Sequence, residues 1–157
     1  FCAILKFDEP IDLVSRMLDS IKDYVDGLFI TITKFKDTDD SSKLEKLLKK
    51  YKANISYFKW VYDFSAARNF NMSQISRDYA YLAWCDADDV WLNPENIPLL
   101  VEDSYKNNIA AVYLNYLYQV DLDENGEIRE ILIEHKRERI ISKIGRNIWI
   151  IGILSLL

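Results

Sequence analysis

Tyr79-Ala80-Tyr81-Leu82-Ala83-Trp84-Cys85-Asp86-Ala87-Asp88-Asp89 is an apolar and aromatic run that ends in three acids within four positions. Its length and composition predict a buried strand over residues 79–85, with the carboxylates released at the strand end. Two readings of those acids stand side by side. Asp88 and Asp89 can cap the next helix with Asp86 solvated, or the group can converge on a hard divalent cation, which takes oxygen ligands. A cation with open positions there can carry a phosphorylated ligand, because ligands of α/β sheets bind beyond the carboxyl ends of the strands. The strand-end position favours the cation.

The flanking sequence supplies the rest of such a sheet. Residues 2–5 read as a short buried strand. Pro10 can then open a helix to about residue 24, with Ile11, Val14, Met17, Leu18, Ile21 and Val25 on one face. Gly27 ends it, and residues 28–33 form a β-branched strand. After a polar loop, Ser41 or Ser42 can cap a helix to about residue 52, striped by Leu44, Leu47, Leu48 and Tyr51. Residues 55–58 are a third strand, and Ser65 can cap a helix over about residues 66–75. Downstream, Pro94-Glu95 starts a helix with Ile97, Leu100, Val101 and Tyr105 inward. Residues 110–122 and 128–135 read as two long strands joined by a turn. The alternation predicts an α/β fold: a mostly parallel sheet flanked by helices, with a late antiparallel hairpin.

Composition narrows the functions open to this chain. Its 157 residues fit one domain with a real core, and a half-hydrophobic composition excludes disorder. The net charge of -5 argues against tracking nucleic-acid phosphates. Lys136, Arg137, Arg139, Lys143 and Arg146 are interleaved with acids and isoleucines, so they read as a solvated strand or loop face. Among the 21 aromatic residues (10 Tyr, 7 Phe, 4 Trp), tyrosines at this density can be core or can line a groove for a ring-shaped ligand, with core as the default. Cys2 and Cys85 sit in apolar runs and read as buried thiols of a reducing compartment. The expectation is a cytoplasmic protein, free or peripheral to a membrane. The apolar tail over residues 148–157 is too short for the ~20 residues that span a bilayer, and reads as a last, truncated core strand.

Other motifs are excluded on their chemistry. His135 is the only histidine, so neither a Cys/His zinc cluster nor a Ser-His-Asp site is written elsewhere, and a histidine on a strand is the expectation. Asp121-Leu122-Asp123-Glu124-Asn125-Gly126 starts like a calcium loop, but Leu132 stands where the twelfth-place Glu belongs. A hairpin turn at Asn125-Gly126 explains it better. With four glycines and no glycine-rich loop, any phosphate binding must use metal, Arg or Lys, and helix N-termini. Ser65-Ala66-Ala67-Arg68-Asn69 offers such a start: small residues that allow close approach, and an arginine that can bind a phosphate or join a structural ion pair.

In order along the chain, four segments resemble the glycosyltransferases of family 2, which have the GT-A fold. They are Ile4-Leu5-Lys6-Phe7-Asp8-Glu9, Leu18-Asp19-Ser20-Ile21 with Tyr24-Val25-Asp26, Trp60-Val61-Tyr62-Asp63-Phe64-Ser65-Ala66-Ala67-Arg68-Asn69, and Asp86-Ala87-Asp88-Asp89. The last is similar to the family's Asp-x-Asp signature. Together they cover about residues 2–92, and the ordered set is far more specific than any one motif.

The resemblance implies a single domain over residues 1–157, with a nucleotide-sugar and metal half over residues 1–92 and an acceptor-side half over 93–157. It implies transfer of a sugar from a UDP- or GDP-type donor to an acceptor hydroxyl on a glycan, lipid or protein. Asp86 and Asp88 would hold Mn²⁺ or Mg²⁺ against the diphosphate, Lys6 and Glu9 would lie near the nucleoside, and Arg68 near the phosphates. Inversion would need a carboxylate general base, which the sequence does not assign. Relatives end the second strand with an Asp that contacts the nucleoside. Here Thr33 or Lys34 stands there, with Asp37, Asp39 or Asp40 as possible substitutes. Arg137-Glu138-Arg139 resembles the family's Arg-rich strand and Trp149 and Gly152 the motif after it, but Ser155-Leu156 replaces the His-Glu that follows. The alternatives are a catalytically silent nucleotide-sugar-binding domain of the same fold and, below it, a phosphatase-like Asp-x-Asp enzyme.

Overall fold

The computed structural model describes residues 1–143. The apolar tail, with Trp149, Gly152 and Ser155-Leu156, lies outside the described residues. Three parallel strands form the first half of the sheet: β1 (Cys2–Lys6), β2 (Phe29–Lys34) and β3 (Asn54–Lys59). Cys2 stands opposite Phe29, and Phe29 opposite Asn54. The second half is antiparallel, with β4 (Tyr81–Ala83) beside β6 (Ile128–Ser142), and β6 beside β5 (Ala111–Leu122). A parallel bridge between Cys2 and Trp84 joins the halves, giving the spatial order β3-β2-β1-β4-β6-β5.

β1 and β2 are apolar almost without interruption because helices cover the sheet. On α1 (Ile11–Asp19), Val14, Met17 and Leu18 are buried, and on α2 (Ser42–Lys50), Leu44 and Leu48. These pack with Leu5, Ile30, Ile32 and Ile140 in one cluster. The packing of α3 (Phe64–Ser73) has a polar pin as well. The buried Asn71 amide donates to Phe29 O at 3.0 Å and Thr31 Oγ1 at 2.9 Å, and Thr31 shares a 2.7 Å hydroxyl bond with Ser56. A buried polar group that is fully paired fixes one arrangement; here it sets the position of α3 over the strand ends.

Several boundaries differ from the sequence expectation, each for a local reason. The first helix stops at Asp19 and is followed by a 3-10 turn over Lys22–Tyr24. Ser20 Oγ turns back to Met17 O at 2.7 Å, the competition with helix bonding that serines offer. Asp63, rather than Ser65, caps α3: its carboxylate accepts from Ala66 N at 3.0 Å, so the helix begins at Phe64. Pro94–Asn96 is a 3-10 turn, and α4 runs Ile97–Lys106. β4 is shorter than the predicted strand, and β6 is longer, reaching Ser142.

The turn between β5 and β6 is the expected hairpin. Gly126 has φ +82°, and Asp123 Oδ1 accepts from Asn125 N and Glu127 N at 2.8 and 2.9 Å. The aspartate that could have begun a calcium loop is thus occupied by backbone amides. β4 pairs with residues 140–142 of β6 only, so the rest of the hairpin extends as a two-stranded arm. Four irregularities of register punctuate that arm. One lies between Val112 and Tyr113, which face Ile140 and Glu138. Arg139 is the extra residue of that bulge.

Candidate active site at the carboxyl ends of the strands

A cavity of about 420 Å³ opens where β1, β2 and β3 end and the chain leaves β4. Lys6 and Glu9 from the exit of β1, Thr33 and Phe35 from β2, Trp60 and Phe64 from the β3–α3 connection, and Asp86 and Ala87 line it. Parallel strands deliver all these residues to one edge because they share a direction.

Of the residues singled out in the sequence, Lys6, Glu9, Thr33 and Asp86 meet in this cavity. Lys6 Nζ lies 3.1 Å from Asp8, and Glu9 Oε2 accepts from Lys6 N at 3.2 Å. Thr33 is buried and its hydroxyl donates to Leu5 O at 3.1 Å. Asp37 and Asp39 do not line it. Asp39 folds into its own loop, its Oδ2 accepting from Phe35 N at 2.8 Å and Lys36 N at 3.0 Å, while Asp37 is exposed. Of the proposed substitutes for the missing strand-end acid, Thr33 alone reaches the cavity.

The acidic turn has three distinct carboxylates. Asp86 Oδ1 accepts from Arg68 Nη2 at 3.0 Å, and its Oδ2 lies 3.9 Å from Arg139 Nη1. Asp88 is exposed, and its backbone carbonyl accepts from Arg16 at 3.0 Å. Asp89 is no helix cap. Its side chain is 13% exposed and fully engaged, with Oδ1 accepting from the Tyr116 hydroxyl at 2.8 Å and Oδ2 from Arg139 Nη2 at 2.9 Å and Asp86 N at 3.0 Å.

Trp84 ties the arginines together. The Arg68 and Arg139 guanidinium carbons lie 3.9 and 4.4 Å from its ring centroid, and Arg139 also lies 4.8 Å from that of Tyr116. Beyond Tyr116 the rings of His135 and Tyr118 continue along the same hairpin at 5.5–6.2 Å spacings. His135 is thus a strand residue in an aromatic row. Burial pulls the Arg68 pKa down, and the Asp86 charge opposes that shift. Burial pushes the Tyr116 phenol up, and its hydrogen bond to Asp89 adds to the effect, so it stays a proton donor to that carboxylate.

Several side chains at the site differ in burial from the expectation. Arg139 was expected on a solvated face but is buried with a 7% exposed side chain, because the β6 bulge turns it toward the acidic turn. The likeness of Arg137-Glu138-Arg139 to the family's Arg-rich strand marks the segment, and the spacing gives no sign of the burial. Tyr116, its partner on β5, was equally silent. Phe35 and Phe64 are exposed and, with Trp60, wall the cavity.

Asp86 and Asp88 present hard oxygen donors, the ligand type that Mg²⁺ and Mn²⁺ take. Among the described residues no three of His, Cys, Asp and Glu gather closely enough to hold a metal alone. Two carboxylates are the number with which Mg²⁺ commonly takes its other ligands from water and substrate phosphates.

An α/β sheet of this order, with an acidic turn and a ligand-sized cavity at its strand ends, defines a GT-A-type domain. The sequence profile of glycosyl transferase family 2 matches residues 7–153, and the chain belongs to that family. Two solved structures of 4-diphosphocytidyl-2C-methyl-D-erythritol synthase share the fold. The one from Anaerococcus prevotii DSM 20548 has 13% identity and a TM-score of 0.59 over 90% of this chain and 70% of its own. The second has 12% identity and a TM-score of 0.58 over 90% of this chain and 74% of its own. S. aureus TarS aligns with 71% of this chain and 20% of its own at 13% identity and a TM-score of 0.48. A comparison with curated proteins finds no significant match. Among the described residues no helix is long and apolar enough to cross a membrane.

Proposed function

We propose that this domain transfers a sugar from a nucleotide-sugar donor to an acceptor hydroxyl with inversion, and that Asp86 and Asp88 hold Mn²⁺ or Mg²⁺ against the donor diphosphate. The observation that carries the reading is the position of Asp86. It forms one wall of the aromatic cavity and lies beside Arg68 and the exposed Asp88. A nucleoside in the cavity therefore has its diphosphate directed at the acidic turn. When bound, the cation supplies Lewis-acid neutralisation of the charge that develops on the leaving nucleoside diphosphate.

The chain's own residues do the rest. Phe35, Trp60 and Phe64 offer ring faces to the nucleobase. Glu9 and Lys6 offer a carboxylate and an ammonium to the nucleoside. Arg68 holds Asp86 before the donor arrives, and its guanidinium can then bind a phosphate oxygen. The Asp89–Arg139–Tyr116 cluster fixes the acidic turn through Asp86 N and anchors the hairpin to it. An acceptor hydroxyl still requires deprotonation by a carboxylate base for the displacement.

The test is turnover. UDP- and GDP-sugars are incubated with Mn²⁺ and a mixed glycan, lipid and peptide acceptor pool, and release of nucleoside diphosphate is followed. Release that stops with chelator and in Asp88→Ala is the expected result. Metal-dependent binding with no release identifies the silent-domain alternative, and release indifferent to both chelator and Asp88→Ala contradicts the metal assignment.

A further inference from the structure

In the cavity, the aromatic walls and the hydrogen-bonding groups make opposite demands on a nucleobase. Phe35, Trp60 and Phe64 present rings, with Trp60 and Phe64 centroids 4.8 Å apart and Phe64 64% exposed. Among the described residues, several donors that could read a base edge are already used within the protein. Lys6 N donates to Glu9, Phe7 N to Thr33 O, Phe35 N and Lys36 N to Asp39, and Trp60 N to Lys34 O. The Thr33 hydroxyl donates to Leu5 O. The acid that could have stood at the end of β2 is the one folded into its own loop, Asp39.

We infer that this domain, on the donor-binding reading above, recognises the nucleobase by stacking and discriminates poorly between bases. Stacking on an aromatic face is tolerant because every base has a π-face. Strong discrimination needs a rigid pattern of buried donors and acceptors that a wrong partner leaves unpaired. Glu9 and Lys6 line the cavity at its β1 side, and neither makes such a pattern. Glu9 can accept one N–H, which uracil, cytosine, guanine and adenine all supply. Lys6 is a half-exposed point charge on a flexible stem. Specificity for the donor then rests on the diphosphate and the sugar, so one sugar carried on different nucleotides is accepted.

Isothermal titration of the intact chain with UDP, CDP, GDP and ADP, each with Mn²⁺, tests this. The expected dissociation constants lie within about tenfold of one another, a spread of ~1.4 kcal/mol. Phe64→Ala, at an exposed position that the core does not need, weakens all four by a similar factor of about 5 or more. One nucleotide bound more than tenfold tighter than the rest overturns the inference and leaves the donor-binding reading intact. Unchanged affinities in Phe64→Ala overturn the stacking argument. If none of the four binds, the donor-binding reading itself has failed.

Discussion

Asp89→Ala tests the network that holds the acidic turn. The Asp89 side chain is 13% exposed and Arg139 7%, so their 2.9 Å contact is shielded from solvent. Removing the carboxylate leaves a buried guanidinium whose next anion is Asp86 at 3.9 Å, and it strands the Tyr116 hydroxyl and Asp86 N. Breaking a buried ion pair from one side costs about 3–5 kcal/mol. For a chain of this size, that lowers Tm by roughly 10 °C. Arg139→Met/Asp89→Ala removes both charges together, so the double variant is more stable than the sum of the single changes by about 2 kcal/mol or more. Urea unfolding followed by tryptophan fluorescence gives all four free energies, since Trp84 lies against Arg139. Additivity within ~0.5 kcal/mol, or a loss below ~1 kcal/mol in Asp89→Ala, refutes the reasoning.

Further expectations follow from single sites. Burial raises the Cys2 thiol to about 11 and pushes Cys85 up as well, so both resist a thiol reagent at pH 8 in the native protein and react once it is unfolded. The same shift fixes a sign with pH. Unfolded thiols ionise near 9 while the buried ones stay protonated, so stability is retained below that pH and declines as pH rises from about 9 toward 11. A flat stability profile across that range contradicts it. Asn71→Ala leaves Thr31 and Phe29 O without their amide partner and costs about 1–3 kcal/mol in chemical denaturation, with a loosened α3. Gly126→Ala forces a side chain into φ +82° and costs about 1 kcal/mol, with no effect on nucleotide affinity because the turn is at the far end of the arm.

The parallel half of the sheet was legible because its signal is local. Runs such as Phe29-Ile30-Thr31-Ile32 are β-branched or apolar and buried on both faces, and helices with clear stripes separate them. The same is true of the Asn125-Gly126 turn. Legibility failed where a position depends on a partner far along the chain. Arg139 owes its place to a bulge opposite Val112 and Tyr113, and a one-residue register change leaves no trace in composition. Asp89 resembled a cap because its partners, Tyr116 and Arg139, lie 27 and 50 residues away. Asp39 resembled a free acid because the bonds it makes are to amides of its own loop. For the site, Asp86, Lys6 and Glu9 could be named from motifs, while the walls of the cavity could not be told from core aromatics.

On the proposed donor-binding reading, a divalent cation and the acidic turn hold a nucleoside diphosphate together. UDP affinity measured with Mn²⁺ and with EDTA, in the wild-type chain and in Asp88→Ala, tests it directly. Tighter binding with Mn²⁺ is expected in the wild type and no such gain in Asp88→Ala, whose exposed side chain leaves the fold intact when removed. Equal affinity in Mn²⁺ and EDTA, or a full Mn²⁺ gain without the Asp88 carboxylate, contradicts it.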